Sequence, residues 1–301
     1  MNPKMNLAVL NVDFDTDGEC RAALEGLRWP DGVTCLRCGL DKISRIATRK
    51  QYDCDSCRYR FSVTTGTIFH DSHLPLPKWF LAILLMVEAK KGISANQMKR
   101  TLGIAHKTAW YLCHRIRKAM TEATPELVSG TVEVDETYIG GKRQHVGRGY
   151  RGNKHMVLAA LQRSGAIRMK VAKRNDRKTL HGFIGETCAP DTENLYTDDW
   201  PAYNGCGDGD TKHESVNHSA EEWVRGDIHT NSVERAFSLF KRAIVGSFHQ
   251  VSGKHLDRYL DEFDFRFNNR KNPYLFRDTL VKLVTSSNLE YKALVAAQGA
   301  Q

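Results

Sequence analysis

The chain has 301 residues and a mass of 34.1 kDa, enough for about two domains with a sizeable core. Its 44 Lys+Arg outnumber 35 Asp+Glu for a formal net charge of +9, which favours an anionic partner such as nucleic acid. With 41% hydrophobic residues and only 8 Pro, the composition excludes a disordered or collagen-like chain.

The longest uninterrupted apolar run, Trp79 to Val87, is nine residues, far short of the roughly 20 needed to span a bilayer. The N-terminus meets Asp13, Asp15 and Asp17 after a brief apolar stretch, unlike a secretory signal, so the expected location is cytoplasmic. In that setting the eight cysteines read as thiols or metal ligands rather than a disulfide framework.

Four of those cysteines are ordered as Cys35-x2-Cys38 and Cys54-x2-Cys57, with fifteen residues between the pairs. Each pair can present two thiolates from a tight turn, and two pairs complete a tetrahedral Zn²⁺ site. Gly39 follows as a turn residue, and Tyr52, Tyr59, Phe61 and Val63 read as strand, so residues 1–72 are expected to hold a zinc ribbon behind an N-terminal extension. The competing readings are chance spacing or a redox pair. Cys20, Cys113, Cys188 and Cys206 show no such spacing and read as ordinary thiols.

After Pro75 and Pro77, the positions Trp79, Phe80, Ile83, Leu84 and Val87 recur at helical spacing. Ser94 caps a second short helix ending near Gly103, and a third begins near Ala105 with Ala109, Leu112, Ile116 and Met120 on its apolar face. Residues 73–125 are therefore expected to form a small all-α helix-turn-helix region. Between residues 78 and 120 only Glu88 opposes nine basic residues. A third helix lying in a major groove would offer His106, Lys107, Thr108 and Tyr111 to base edges, and Arg115, Arg117 and Lys118 to phosphates. The alternative is a helical linker with a solvated basic face.

Beyond Pro125 the pattern becomes strand-like. Thr131 to Tyr138 alternates, with Val132 and Val134 on one face and Glu133, Asp135 and Thr137 on the other. His155 to Gln162 reads as a buried strand, Ser164-Gly165 as a hairpin turn, and Ile167, Met169 and Val171 as the next strand. A helix from about Arg177 to Thr187, a strand from Asn194 to Asp198, a helix near Tyr203, a short strand around Ser215 and a long helix from about Asn231 follow. The class is α/β or α+β, over residues 126–280, with 281–301 as a tail.

Asp135, Asp198 and Glu234 stand where such a sheet could gather them. Hard oxygen ligands suit Mg²⁺ or Mn²⁺, and two such ions would activate the attacking oxygen and stabilise the leaving one in a phosphodiester displacement. Spacing leaves alternatives open. Asn231-x-x-Glu234 matches a helix capping box, Glu133 or Glu136 competes with Asp135 as the ligand, and Asp199 competes with Asp198.

Residues 138 to 178 hold twelve Lys+Arg against Asp176 alone. That stretch includes a glycine-rich loop, Gly140 to Gly152, expected to line a DNA channel with Lys142, Arg143, Arg148, Arg151 and Lys154; a solubilising loop is the bland reading. His213, His218 and His229 fit no standard metal spacing, and His229 is better placed beside the helix that carries Glu234. Trp200, Trp223 and Tyr203 are either core or platforms for an unpaired base.

Several ordered blocks resemble one family. They are Arg28-Trp29-Pro30-Asp31-Gly32 leading into the cysteine pairs, the run Val132 to Lys142, Tyr196-Thr197-Asp198 with Tyr203, His229 to Glu234 continuing to Phe240-Lys241-Arg242, and a series from Gly246 to Arg270. Together, from about Cys20 to Asn272, they resemble IS1595-family (ISXO2-like) DDE insertion-sequence transposases; Leu36 departs from the Pro often found in the ribbon.

The resemblance implies an RNase H-like catalytic domain in which Asp135, Asp198 and Glu234 match the D, D and E positions. It favours Asp198 over Asp199, since 35 residues then precede Glu234. It also makes Lys241, seven residues on, a DNA-holding catalytic side chain, and Asn231 a helper or cap. The implied activity is cleavage and transfer of double-stranded DNA at terminal inverted repeats and target, by a homodimer or larger assembly at the bacterial nucleoid. A DNA-binding regulator with a silent catalytic domain, and a nuclease without strand transfer, are the competing functions.

Overall fold

The computed structural model describes residues 5–140, 154–207 and 210–296. The chain divides into two compact units, one formed by residues up to Met120 together with those from Asn272 on, the other by Thr121–Lys271.

The first unit opens with helices α1 (Leu7–Asp13) and α2 (Asp17–Arg28), the latter closed by a reciprocal Thr16/Glu19 capping box. Strands β1 (Ile43–Ile46), β2 (Gln51–Cys54) and β3 (Arg60–Phe61) form a small antiparallel sheet, whose core is Tyr52 and Phe61 packed with Trp29 and Tyr59. Helices α3 (Leu76–Glu88), α4 (Ala95–Leu102) and α5 (His106–Met120) follow at the positions the periodicity predicts. Ser94 Oγ accepts the Gln97 N–H at 3.1 Å to start α4. Gly103, at φ +62°, ends it in a left-handed conformation that glycine adopts without steric cost.

The C-terminal boundary differs from the expected one at residue 280. Helix α9 (Leu275–Thr285) packs on α2, α3 and α5, with Phe276 in an aromatic cluster with Phe14 and Phe80, and α10 (Tyr291–Val295) follows. Residues 281–296 thus belong to the packing of the first unit rather than forming a free tail: Leu283, Val284, Leu289 and Leu294 are buried. An isolated bridge pairs Thr67 with Ser287.

The second unit is built on five strands: β4 (Thr131–Ile139), β5 (His155–Gln162), β6 (Ile167–Ala172), β7 (Asn194–Asp198) and β8 (Lys212–Val216), in the order β6-β5-β4-β7-β8. The first three form an antiparallel meander, while β7 and β8 run parallel to β4. Helix α6 (Arg177–Thr187) lies between β6 and β7 in sequence and covers one face with Leu180, Phe183 and Ile184 on Val132, Val134, Leu158 and Leu195. The other face is covered by α7 (Asn231–Ala243) and α8 (Leu256–Asn268), whose Val233, Phe237, Phe240, Leu260 and Phe263 meet Val157, Ala159, Leu161 and Met169. Only a single 3₁₀ turn, Pro201–Tyr203, stands where a helix near Tyr203 was expected.

β6 is an edge strand, and α8 satisfies its outward backbone donors with side chains. Asn268 Oδ1 accepts the Ile167 N–H and Asp264 Oδ2 the Met169 N–H, both at 2.8 Å, and Asp257 accepts from Val171. Burial raises the Asp264 carboxyl well above the usual range. Among the described residues, no helix is long and apolar enough to cross a membrane.

Candidate active site and metal centres

In the ribbon, each Cys-x2-Cys turn places its two sulfurs beside those of the other. Cys35 Sγ lies 3.5 Å from Cys57 Sγ and Cys38 Sγ lies 3.6 Å from Cys54 Sγ, with one ligand atom from each of the four within 4.8 Å of the rest. Four thiolates bound about 2.3 Å from a tetrahedral ion have similar edges, so the set fits zinc. The Arg37 N–H points at Cys35 Sγ, 3.4 Å away. Burial opposes ionisation of Cys35, but the backbone N–H groups of Cys38 and Arg37 and the neighbouring thiols outweigh it and hold the thiol down to about 6, while burial and the same neighbours push Cys57 up to about 12.

The carboxylate centre is assembled by the sheet. The parallel register pairs Glu133 with Tyr196, and two residues further on Asp135 comes level with Asp198 at the end of β7. Carboxylate oxygens of Asp135, Glu136 and Asp198 all lie within 4.8 Å of one another. Burial pushes the Asp135 carboxyl up to about 8; Glu136, then Asp198 and Glu234, add to the shift, while the Glu136 N–H donating to Oδ1 at 2.7 Å opposes it. A buried site that resists ionisation this strongly is suited to a bound cation.

Glu234 stands outside that 4.8 Å group, yet is close enough for its charge to act on Asp135. It is not in a capping box with Asn231: the helix N-cap is Thr230, whose hydroxyl donates to Glu234 Oε1 at 3.2 Å. Glu136 is held by two donors, Asn175 Nδ2 at 2.8 Å on one oxygen and Tyr203 Oη at 2.7 Å on the other. Tyr203 is core, not an exposed platform, and burial with the Glu136 charge keeps its phenol protonated. Trp200 and Trp223 are exposed, and the Trp200 N–H donates to Asp198 Oδ1 at 3.3 Å. Lys241 is exposed on α7, two turns beyond Glu234. Asp199 instead accepts from Ser215 and Asn217.

Sequence reasoning left Glu133 open as a ligand, and the structure gives it other partners. It is fully buried and accepts from Ser232 N–H (2.7 Å), Val233 N–H (3.0 Å) and Arg163 Nε (2.8 Å), with His229 Nδ1 at 3.2 Å. His229 therefore sits beside the start of α7, as its position in the sequence suggests. His213 bonds Thr197 Oγ1 at 2.9 Å through Nε2, and no described residues gather histidines into a metal cluster.

The third helix of the first unit corrects part of the sequence reading. His106, Lys107 and Thr108 are exposed at its N-terminus, but Arg115 and Arg117 are buried, at 3% and 2% exposure. Arg115 donates to the His70 carbonyl at 2.6 Å and lies over the Trp79 and Tyr111 rings. The Tyr111 hydroxyl donates to the Leu289 carbonyl, and Lys118 to Ser287 Oγ and the Asn288 carbonyl. Arg115, Arg117, Lys118 and Tyr111 are thus engaged within the fold, because α5 is exposed only over its first turn and is largely buried thereafter, packed against α9 and the segment that follows it. Lys142, Arg143, Arg148 and Arg151 lie outside the described residues; Lys154 is exposed just before β5.

Two family models match the chain. Residues 127–268 match the ISXO2-like transposase domain, and residues 15–60 match the transposase zinc-ribbon domain. The chain belongs to the IS1595-type, ISXO2-like transposase family. It is 29% identical over 270 residues to a protein described as uncharacterized in transposable element ISH50 of Halobacterium salinarum, covering 82% of this chain and 90% of that one. Solved structures similar to it include a pre-cleavage Mos1 transpososome (11% identity, 67% of this chain and 77% of that chain, TM-score 0.26). Another is a simian T-cell lymphotropic virus intasome in complex with the PP2A regulatory subunit B56 gamma (12% identity, 74% of each chain, TM-score 0.29).

Proposed function

We propose that this transposase-family chain cleaves and joins double-stranded DNA at the ends of an insertion sequence. The observation that carries the reading is the convergence of Asp135 and Asp198 from two adjacent parallel strands, with Glu234 acting on the same point from the start of α7. The strand order, with one antiparallel meander and two parallel strands between helical layers, supports the RNase H-like architecture that the family resemblance implies.

Asp135, Asp198 and Glu234 are the residues that would hold divalent ions. Two Mg²⁺ or Mn²⁺ ions bound there would activate the attacking oxygen and stabilise the leaving one. Glu136, whose carboxylate lies in the same group, is assigned a supporting part, its two oxygens each held by a donor, Asn175 Nδ2 and Tyr203 Oη. Lys241 extends the stripe of Glu234 along α7 and offers its ammonium to the DNA backbone. His106, Lys107 and Thr108 at the exposed start of α5, in a helix-turn-helix arrangement with α4, would meet the terminal repeat. Lys142, Arg143, Arg148, Arg151 and Lys154 would flank the channel. Cys35, Cys38, Cys54 and Cys57 would hold a structural Zn²⁺. Two DNA ends must be held together, so the working form is a homodimer or larger assembly, located with its substrate at the nucleoid.

The test uses a duplex carrying the inverted repeat that flanks the gene, a target plasmid, and Mg²⁺ or Mn²⁺. The expected products are a cut end with a free 3′ hydroxyl and a strand joined to target. Binding without any cleavage points to a regulator instead, and cleavage without joined product to a nuclease.

A further inference from the structure

We propose that Glu133 is a positioning residue that ties the strand carrying Asp135 to the helix carrying Glu234; this rests on the reading of those two carboxylates as partners in one ion site. Glu133 is two residues before Asp135 on β4 and shares its face, pointing toward α7. Its Oε2 accepts both the Ser232 and Val233 N–H groups, at 2.7 and 3.0 Å. Those are the second and third residues of a helix whose own N-cap, Thr230, makes no side-chain cap bond. Helices normally take that acceptor from the N-cap residue. Here it comes from about 100 residues away, two positions before Asp135 on the same strand, and its donors Ser232 and Val233 immediately precede Glu234.

The remaining oxygen is engaged as well. Arg163, from the turn after β5, donates through Nε to Oε1 at 2.8 Å, and its Nη2 reaches the His229 carbonyl at 3.2 Å and Nδ1 at 3.1 Å. The guanidinium also lies over the Tyr196 ring, 4.9 Å from its centroid, two residues before Asp198 on β7. One buried ion pair therefore touches the segments leading to all three acidic residues: β4 through Glu133, β7 through Tyr196, and the entry to α7 through His229, Ser232 and Val233. A carboxylate sealed from water in such contacts is poorly placed to take a metal, and well placed to set the distance between residues that do.

Two variants of the full chain test this, Glu133→Gln and Glu133→Asp. The first turns an amide N–H₂ against either Arg163 or the helix donors; the second keeps the charge but is one methylene too short to reach both. Amide exchange followed over residues 229–240, with Mn²⁺ affinity measured by calorimetry without DNA, reads the effect independently of turnover. Faster exchange at Ser232 and Val233, with β4, β5 and β6 still protected, and Mn²⁺ binding weakened about tenfold or more, is the expected result. Glu133→Asp should fall between wild type and Glu133→Gln in both measurements. Unchanged exchange at Ser232 and Val233, or protection lost evenly across the sheet, overturns the proposal, and where Glu133→Gln does not fold the same criteria apply to Glu133→Asp. Wild-type protein that binds no Mn²⁺ while Ser232 and Val233 still respond to Glu133 defeats the ion-site reading and leaves the strand-to-helix tie standing.

Discussion

The ribbon and the carboxylate centre gather their ligands in opposite ways. Four thiols come from one stretch, Cys35 to Cys57, on two turns with a core of little more than Trp29, Tyr52, Tyr59 and Phe61. The acidic residues come from positions as far apart as Asp135 and Glu234: neighbouring strands of a five-stranded sheet set Asp135 beside Asp198, and Glu234 stands near them on a helix that covers one face. With so small an apolar core, the ribbon would depend for its order on an ion at its four thiols, whereas the sheet has its own core and holds the acidic residues against their mutual repulsion. The raised Asp135 carboxyl reflects burial first and that repulsion second.

The comparison breaks most sharply on metal removal. Free energies of structural zinc binding run to about 10 kcal/mol or more, so a chelator or Cys54→Ser should unfold β1 to β3, read as lost amide protection at Tyr52 and Phe61, while the five-stranded sheet stays protected. Next in size, Asp198→Asn should leave the fold and DNA binding in place and lower strand cleavage by about 10³-fold or more, measured with a pre-cut and an uncut end.

Smaller still is a pH effect on the metal-free protein. Folding raises the Asp135 pKa from 3.8 to about 8, so the folded state binds the proton more tightly; stability is full below pH 3.8 and is lost as pH rises through 8. Asp135→Asn removes that loss. Its melting temperature should exceed wild type at pH 9, by the equivalent of about 2–4 kcal/mol, and the gap should shrink toward pH 4. The smallest effect is expected of Lys241→Ala, a drop of about tenfold in DNA affinity with a shallower salt dependence, seen by titration at several ionic strengths.

Much of the layout was legible from periodicity. The three basic-region helices, the β4–β6 meander, α6, β7 and the start of α7 lie within a few residues of their expected places, because each is a strongly patterned segment with a turn or cap at its ends. Asp135 and Asp198 were legible as candidates because one occupies a strand and the other ends one. The fates of Arg115 and Glu133 were not. Arg115 looks like a surface residue until His70, Trp79 and Tyr111 enclose it, and Glu133 alternates like a solvated carboxylate until the α7 backbone reaches it from about 100 residues on. Local pattern says which face a side chain takes, and only tertiary packing says what it meets there. The same holds for α8, where Asp257, Asp264 and Asn268 close the edge of β6, a role that nothing in their local pattern signals.

Anomalous scattering from Mn²⁺-soaked crystals of the full chain is the most direct test of whether Asp135, Asp198 and Glu234 share an ion. Density is expected between Asp135 and Asp198 with Glu234 completing the coordination, and Glu136 still bonded to Asn175 and Tyr203. Density absent from that point, or ligated by Glu133 or Glu136 with Glu234 turned away, contradicts a shared site.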